Sequence, residues 1–310
     1  MSRVGTRVAV IGAGISGAAC AATLRRAGID VAVFERGRTE GGRMASPTIG
    51  QRRVDLGASY FTASDDEFLA QVRSWRDDGL ARPWTDTFDV ISPDGRSTTT
   101  GPMRWAADDG LRSLVRALDP QAKAGNQITD LRDLDQDAVV LAMPDPQAAR
   151  LAPDAFDWVD YEPVITVAAA WDTRAWDLDT AAFVNGDPDV TMIADDGSRR
   201  GDDAPVLVAH STGELATRHL SAPDDAIAPV VATLRRLLDI GREPVVTYAH
   251  RWTFAKPTTT HGDEPFGLAT STGRLLGVCG DSWCPSGPPR TEAAWLSGHR
   301  LGAALADELG

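Results

Sequence analysis

Apolar residues fall into short runs of two kinds, and their alternation along the chain predicts a mixed α/β protein. Val8–Ile11 is an unbroken apolar tetrad of strand type, and the alanine-rich Ile15–Ala27 after it has a helical pattern. Asp30–Glu35 reads as a second strand. Asp65–Asp78 places Phe68, Leu69, Val72 and Trp75 on one helical face, and Trp84–Thr100 reads as a hairpin turning at Pro93-Asp-Gly95. Gly110–Leu118 reads as a helix, with strands at Asn126–Leu131 and Ala138–Met143. Strands at Val164–Trp171, Val206–Ser211 and Pro244–Trp252 then surround a helix at Asp224–Leu238. Leu275–Cys279 is a last buried strand, and Thr291–Leu309, entered through Pro288-Pro289, is a last helix.

Val8–Leu24 is apolar enough to approach the length of a membrane span. Gly12, Gly14 and Gly17 and the mid-segment change of period favour a strand–turn–helix unit instead. The start, Met1–Arg7, lacks the apolar core of a secretory signal, and Cys20, Cys279 and Cys284 are too few for a disulfide framework, so a cytoplasmic protein is expected. The chain has 310 residues, room for about two domains at ~150 residues each. Its 31 basic against 44 acidic side chains give a net charge of −13, which argues against nucleic-acid and anionic-membrane partners. The five histidines show no ligand spacing with cysteine or acid, so no metal site is expected.

The strand–turn–helix unit carries the clearest chemistry. Gly12-Ala-Gly14-Ile-Ser-Gly17 follows a strand and opens a helix, as dinucleotide binding requires. Gly12 permits the tight turn, Gly14 lets a pyrophosphate approach the backbone, and Gly17 allows close packing of helix on sheet. The first helical turn, Ile15-Ser16-Gly17, offers unpaired N–H groups and a positive dipole end to phosphates. Glu35, 23 residues after Gly12 at the end of the second strand, is placed to accept hydrogen bonds from a ribose diol. This fingerprint leaves NAD and FAD both open.

Further motifs resolve that choice by resemblance. Gly41-Gly42-Arg43-Met44, Gly57-Ala-Ser-Tyr-Phe-Thr-Ala63, Leu141-Ala-Met-Pro-Asp-Pro-Gln147, His250-Arg-Trp252, Gly280-Asp-Ser-Trp-Cys-Pro-Ser-Gly287 and Ala294-Trp-Leu-Ser-Gly298 join the N-terminal glycines. Together they resemble the bacterial renalase-like flavoproteins, a compact branch of the flavin amine-oxidase superfamily. The resemblance implies non-covalent FAD, bound by a Rossmann-type domain of amine-oxidase (p-hydroxybenzoate-hydroxylase-like) type with a smaller α+β substrate domain on an antiparallel sheet. The FAD domain would comprise residues 1–64, 101–150 and 267–310, and the substrate domain 65–100 and 151–266. Gly12, Gly14, Ile15, Ser16, Gly17, Glu35, Arg36, Gly42, Arg43, Met44, Ala58, Ser59, Gly280 and Asp281 would hold the cofactor, with Ile128 near the adenine. The helix start at Glu292-Ala293-Ala294 would direct N–H groups at the flavin N1–C2=O edge, where negative charge develops on reduction.

The implied activity is oxidation of a dihydropyridine, a misreduced NAD(P)H isomer, with hydride passing to FAD and then to O2. The products are NAD(P)+ and hydrogen peroxide. The alternatives are a small amine oxidase and a redox-silent FAD-binding protein. Tyr60, His210, Trp252 and Trp283 are the candidate pocket residues, with no acid–base catalyst required for hydride transfer. His250 ends a predicted strand beside them, and Lys256 reads as a solvated strand-end residue. The chain departs from the family at Met192–Arg200, where Asp195 and Asp196 replace expected polar residues, and at Thr212–Ala216. The resemblance places those segments against substrate, with Arg199 and Arg200 as candidate phosphate contacts.

Overall fold

The computed structural model describes residues 6–271, 273–285, 288 and 290–310. Residues 1–5 of the chain start read for a secretory signal, Ser286-Gly287 of the second motif and Pro289 of the last helix start lie outside the described residues. The described chain is organised on two large sheets. The first has six strands in the order Gly267–Ser271, Arg274–Val278, Ala138–Leu141, Arg7–Ile11, Asp30–Glu35 and Ala122–Ala124. Its pairs are parallel except the antiparallel edge pair Gly267–Ser271 with Arg274–Val278. Parallel strands bury both faces, which is why Val8, Ala9 and Val10 are all fully buried.

Ile15–Arg26 follows the first strand and packs against the last helix, Thr291–Leu309. Small residues set this crossing: a Cβ at Gly298 would lie 1.9 Å from the Ser16 carbonyl oxygen. The Asp66–Asp77 helix, capped by the Asp65 side chain, adds Phe68, Val72 and Trp75 to the same cluster, with the Phe68 ring 5.4 Å from Trp295.

The expected strand at Asn126–Leu131 is absent. The edge strand ends at Ala124, Gly125 turns with a φ of +73°, and Asp130 caps a short 3-10 turn at Leu131–Asp133. Two strong turn signals within six residues outcompete the apolar pattern. Ile128 nevertheless packs into the cluster that includes Phe34 and Met143.

The second sheet has seven strands, in the order Val246–Pro257, Tyr161–Ala170, Val206–Ser211, Val190–Asp195, Ala181–Val184, Arg82–Ser92 and Gly95–Ala106. The hairpin turns at Pro93-Asp-Gly95 with Gly95 at a φ of +124°, but its strands are longer than the sequence pattern indicates. Ala181–Val184 and Val190–Asp195 were not expected at all. His250 lies inside a strand that continues to Pro257, rather than at its end. Gly213–Arg218 and Ile227–Leu237 cover one face of this sheet. The other face meets the segment Val54–Tyr60, with Val54 and Leu56 against Ala168, Val206 and Val208. Among the described residues no helix is long and apolar enough to cross a membrane.

Candidate active site

At the end of the first strand Gly12 has a φ of +109°, and a Cβ there would lie 2.2 Å from the Ala142 carbonyl oxygen. A Cβ at Gly17 would lie 2.0 Å from the Gly12 carbonyl oxygen, so helix and turn approach as closely as glycine allows. Gly14 differs: it begins the helix without a side-chain cap, and a Cβ there would meet open space. The helix thus starts with uncapped N–H groups at Ile15 and Ser16, and Gly42, whose φ is +52°, packs against the turn, where a Cβ would lie 3.2 Å from the Gly14 Cα.

Glu35 closes this end of the site. Its Oε2 accepts from the Ala13 amide at 2.9 Å and its Oε1 from the Gly37 amide at 2.6 Å. The Glu35 carbonyl accepts from Asn126, which brings the loop bearing Ile128 alongside. Arg36 is exposed, and its guanidinium donates to the Gln147 amide oxygen at 2.7 and 3.1 Å. Met44 is buried among Ile15, Ala18 and Ala294 as a core residue.

The two ends of the chain meet at Arg43 and Asp281. Their fork is bidentate, with Nη1 on Oδ2 at 2.7 Å and Nη2 on Oδ1 at 2.6 Å. Arg43 Nη1 also donates to the Ala255 carbonyl at 2.9 Å, and the Tyr161 hydroxyl donates to Asp281 Oδ1 at 3.2 Å. Burial alone would lower the Arg43 pKa, but Asp281 outweighs it and raises it above the ordinary range. Gly280 donates to the Ser297 hydroxyl, fixing this turn on the last helix. Arg290 opens that helix without a side-chain cap, leaving Ala293 and Ala294 in its first turn, both buried. The Glu292 side chain turns the other way, to the Ser64 hydroxyl at 3.0 Å and the Asp65 amide at 2.7 Å.

The seven-stranded sheet supplies the opposite wall. Phe183 pairs with Met192, Met192 with His210, His210 with Thr166 and Thr166 with His250, which sets these side chains in a row on one face. Trp252 lies on the same face, its Nε1 donating to the Leu56 carbonyl at 3.0 Å and the Thr166 hydroxyl at 3.2 Å. Tyr60 stands edge-on to Phe88 at 5.2 Å, in the cluster containing Phe183 and Met192. Tyr60, His210 and Trp252 are therefore brought together. Trp283 belongs to a different cluster, stacked on His261 at 3.7 Å and edge-on to Phe156. His210 is lowered to about 3, first by burial and then by the charges of Lys256 and Arg199, so its imidazole is neutral at pH 7.

Asp195, Asp196, Arg199 and Arg200 do not face a substrate. The short helix Asp196–Arg200 buries Asp196 and Arg199 completely. Asp196 pairs with Arg199, with Arg200 at 3.2 Å and with Arg52 at 2.9 Å, while Arg200 reaches Asp55 at 3.3 Å. Burial pushes the Asp196 carboxyl up, but the neighbouring arginines hold it below its usual value. Arg199 also donates to the carbonyls of Ser59 (3.0 Å) and Asp55 (3.2 Å). Asp195 caps the helix and accepts from the Trp176 indole. These charges clamp the seven-stranded sheet to the Val54–Tyr60 segment, which removes Arg199 and Arg200 as phosphate contacts. The links to Arg52, Asp55 and Ser59 span some 140 residues of sequence, and only the Asp196 pairs with Arg199 and Arg200 are local. Lys256 is exposed, as its strand-end position implied.

This geometry is that of a two-sheet flavoprotein, with a glycine-lined cofactor turn facing a mixed sheet. Residues 110–305 match the family described as flavin containing amine oxidoreductase, and residues 10–74 match the NAD(P)-binding Rossmann-like domain. The chain belongs to the flavin-containing amine oxidoreductase family and is an FAD-dependent oxidoreductase. Renalase of Mus musculus is 24% identical over 324 residues, covering 89% of this chain and 92% of that protein. The putative flavin-containing monoamine oxidase AofH of Mycobacterium tuberculosis (strain ATCC 25618 / H37Rv) is 28% identical over 141 residues, 40% of this chain and 30% of its own. The fold is shared with a putative protoporphyrinogen oxidase from Exiguobacterium sp. 255-15, with a TM-score of 0.78 at 15% identity over 99% of this chain and 100% of the other. Cyclohexylamine oxidase from Brevibacterium oxydans IH-35A gives 0.77 at 14% identity, over 98% and 99%. The residues present fit FAD. Gly14 opens onto space, the first turn of its helix lacks a side-chain cap, and the buried Ser59 Oγ and His210 Nε2 have no partner within the protein.

Proposed function

We propose that this chain oxidises a dihydropyridine, a misreduced isomer of NAD(P)H, with O2 as the terminal acceptor. In balance, the dihydropyridine, O2 and one proton give NAD(P)+ and H2O2. Bound FAD supplies the hydride acceptor and returns two electrons to O2. In this reading the glycine turn and Glu35 would hold the adenosine, Arg43 and the first turn of the following helix the pyrophosphate, and Asp281 the ribityl chain, with the seven-stranded sheet supplying the substrate contacts. Residues 65–100 and 151–266 then form the substrate domain.

The observation that carries the reading is the face bearing Tyr60, Met192, His210 and Trp252. It gives a flat ring apolar and aromatic contact, and the unpartnered His210 Nε2 suits a neutral polar group such as a carboxamide. Burial, and then the nearby charge of Lys256, lower His210, and both oppose an ammonium there. No proton has to be removed by the protein for hydride transfer, so orientation is what these side chains contribute.

Anaerobic mixing with 2- or 6-dihydro-NAD(P) should bleach the bound flavin, while primary amines should not. Bleaching by amines alone would replace the reading with amine oxidation, and bleaching by neither would leave a redox-silent FAD protein. FAD is held non-covalently in this proposal, so acid precipitation should leave the yellow colour in the supernatant; a yellow pellet would refute that.

A further inference from the structure

Tyr161 belongs to none of the motifs that mark the cofactor site, yet its hydroxyl reaches the centre of it. It opens the Tyr161–Ala170 strand of the seven-stranded sheet and pairs with Pro257 at the end of the adjacent strand. Two residues before Pro257, the Ala255 carbonyl accepts from Arg43 Nη1. Both strands therefore end on the Arg43–Asp281 fork, one through a side chain and one through the backbone. The Arg43 guanidinium also lies over the Tyr161 ring, 5.5 Å from its centroid.

We propose that Tyr161 is a positioning residue for FAD, orienting the Asp281 carboxylate and the Arg43 guanidinium and tying both to the sheet that covers the substrate. Asp281 Oδ1 receives both Arg43 Nη2 and the Tyr161 hydroxyl, so the phenol ties to the seven-stranded sheet a carboxylate whose plane the bidentate arginine fork sets. Burial, and then the charge of Asp281, keep the Tyr161 phenol protonated, so it remains a donor across the working pH range. The tie joins a strand of the substrate side to residues 43 and 281. Cofactor placement and roof placement thereby become one variable.

The test is the rate at which free-FAD fluorescence appears after dilution of purified holoenzyme. Tyr161→Phe keeps the ring under Arg43 and removes only the hydroxyl; it should release FAD about tenfold faster, as expected for loss of a hydrogen bond to a charged group. Tyr161→Leu, which also removes the ring, should release it faster still. In an Asp281→Ala background the same Phe substitution should change the rate less than twofold, because the acceptor of its hydrogen bond is gone. A structural effect unrelated to Asp281 would persist undiminished in that background and would overturn the proposal. So would wild-type release by Tyr161→Phe. The inference rests on the FAD assignment alone, so failure of the dihydropyridine test leaves it intact, and its own failure leaves the substrate reading intact.

Discussion

Glu35 has both carboxylate oxygens tied to backbone amides, at Ala13 and Gly37, one in the glycine turn and one in the loop after its own strand. A carboxylate accepts about four hydrogen bonds, so a ribose diol can still be received. Glu35→Ala removes that contact and releases both amides. FAD retention should weaken by about 1.5–3 kcal/mol, read as the dissociation constant from flavin fluorescence; an unchanged constant would remove Glu35 as the ribose ligand. His210 gives a pH prediction of definite sign. Its folded pKa of about 3 lies below the ordinary 6.5, so the unfolded chain binds more protons between those values. Its contribution to stability is complete above pH 6.5 and is lost as pH falls towards 3. The urea midpoint of His210→Gln should therefore drop less than that of wild type between pH 7 and 4.5, whereas parallel profiles would mean that His210 is not held neutral.

At the scale of elements, the two glycines Gly14 and Gly298 separate cofactor binding from folding. Gly14 has a φ of −76°, which alanine accepts, and its Cβ would enter open space. Gly14→Ala should fold with an unchanged far-UV spectrum but purify with less than a tenth of the flavin absorbance. Gly298→Ala instead drives a Cβ into the Ser16 carbonyl and should lower the unfolding free energy by at least about 1–3 kcal/mol, measured in urea. The converse pattern would mean that the space beside Gly14 does not hold the cofactor. These elements were legible because each combines a clean period with its own punctuation: an apolar tetrad, a glycine turn, an alanine-rich helix. Ala181–Val184 and Val190–Asp195 were not, since four to six residues without clean alternation become strands only through neighbours distant in sequence. The same holds within the site. Arg43 and Asp281 announce themselves through glycine motifs, but Tyr161 sits in an unremarkable Tyr-Glu-Pro, and the Asp196–Arg200 helix reads as a substrate segment because burial cannot be seen in a run of charges.

The whole molecule carries a net charge of −13, and its buried arginines do nothing to soften that for a ligand. Arg52, Arg199 and Arg200 are spent on Asp55, Asp196 and Asp202, in a cluster where removing one partner would strand a buried charge. A dinucleotide substrate must therefore approach against the long-range field, relying on short-range contacts once it arrives. That field reaches about 30 Å at 10 mM ionic strength and about 8 Å at 150 mM. If the substrate is a misreduced NAD(P)H isomer, kcat/KM should rise several-fold across that range, because salt screens repulsion between like charges. A protonated amine would be attracted, so its kcat/KM should fall over the same range, and a neutral donor should show neither trend. Initial rates of oxygen consumption in a sodium chloride series distinguish the three. A fall for the dinucleotide would require a cationic patch at the entrance strong enough to reverse the field, and Lys256, exposed and near enough to His210 to depress it, is where that patch would have to be centred.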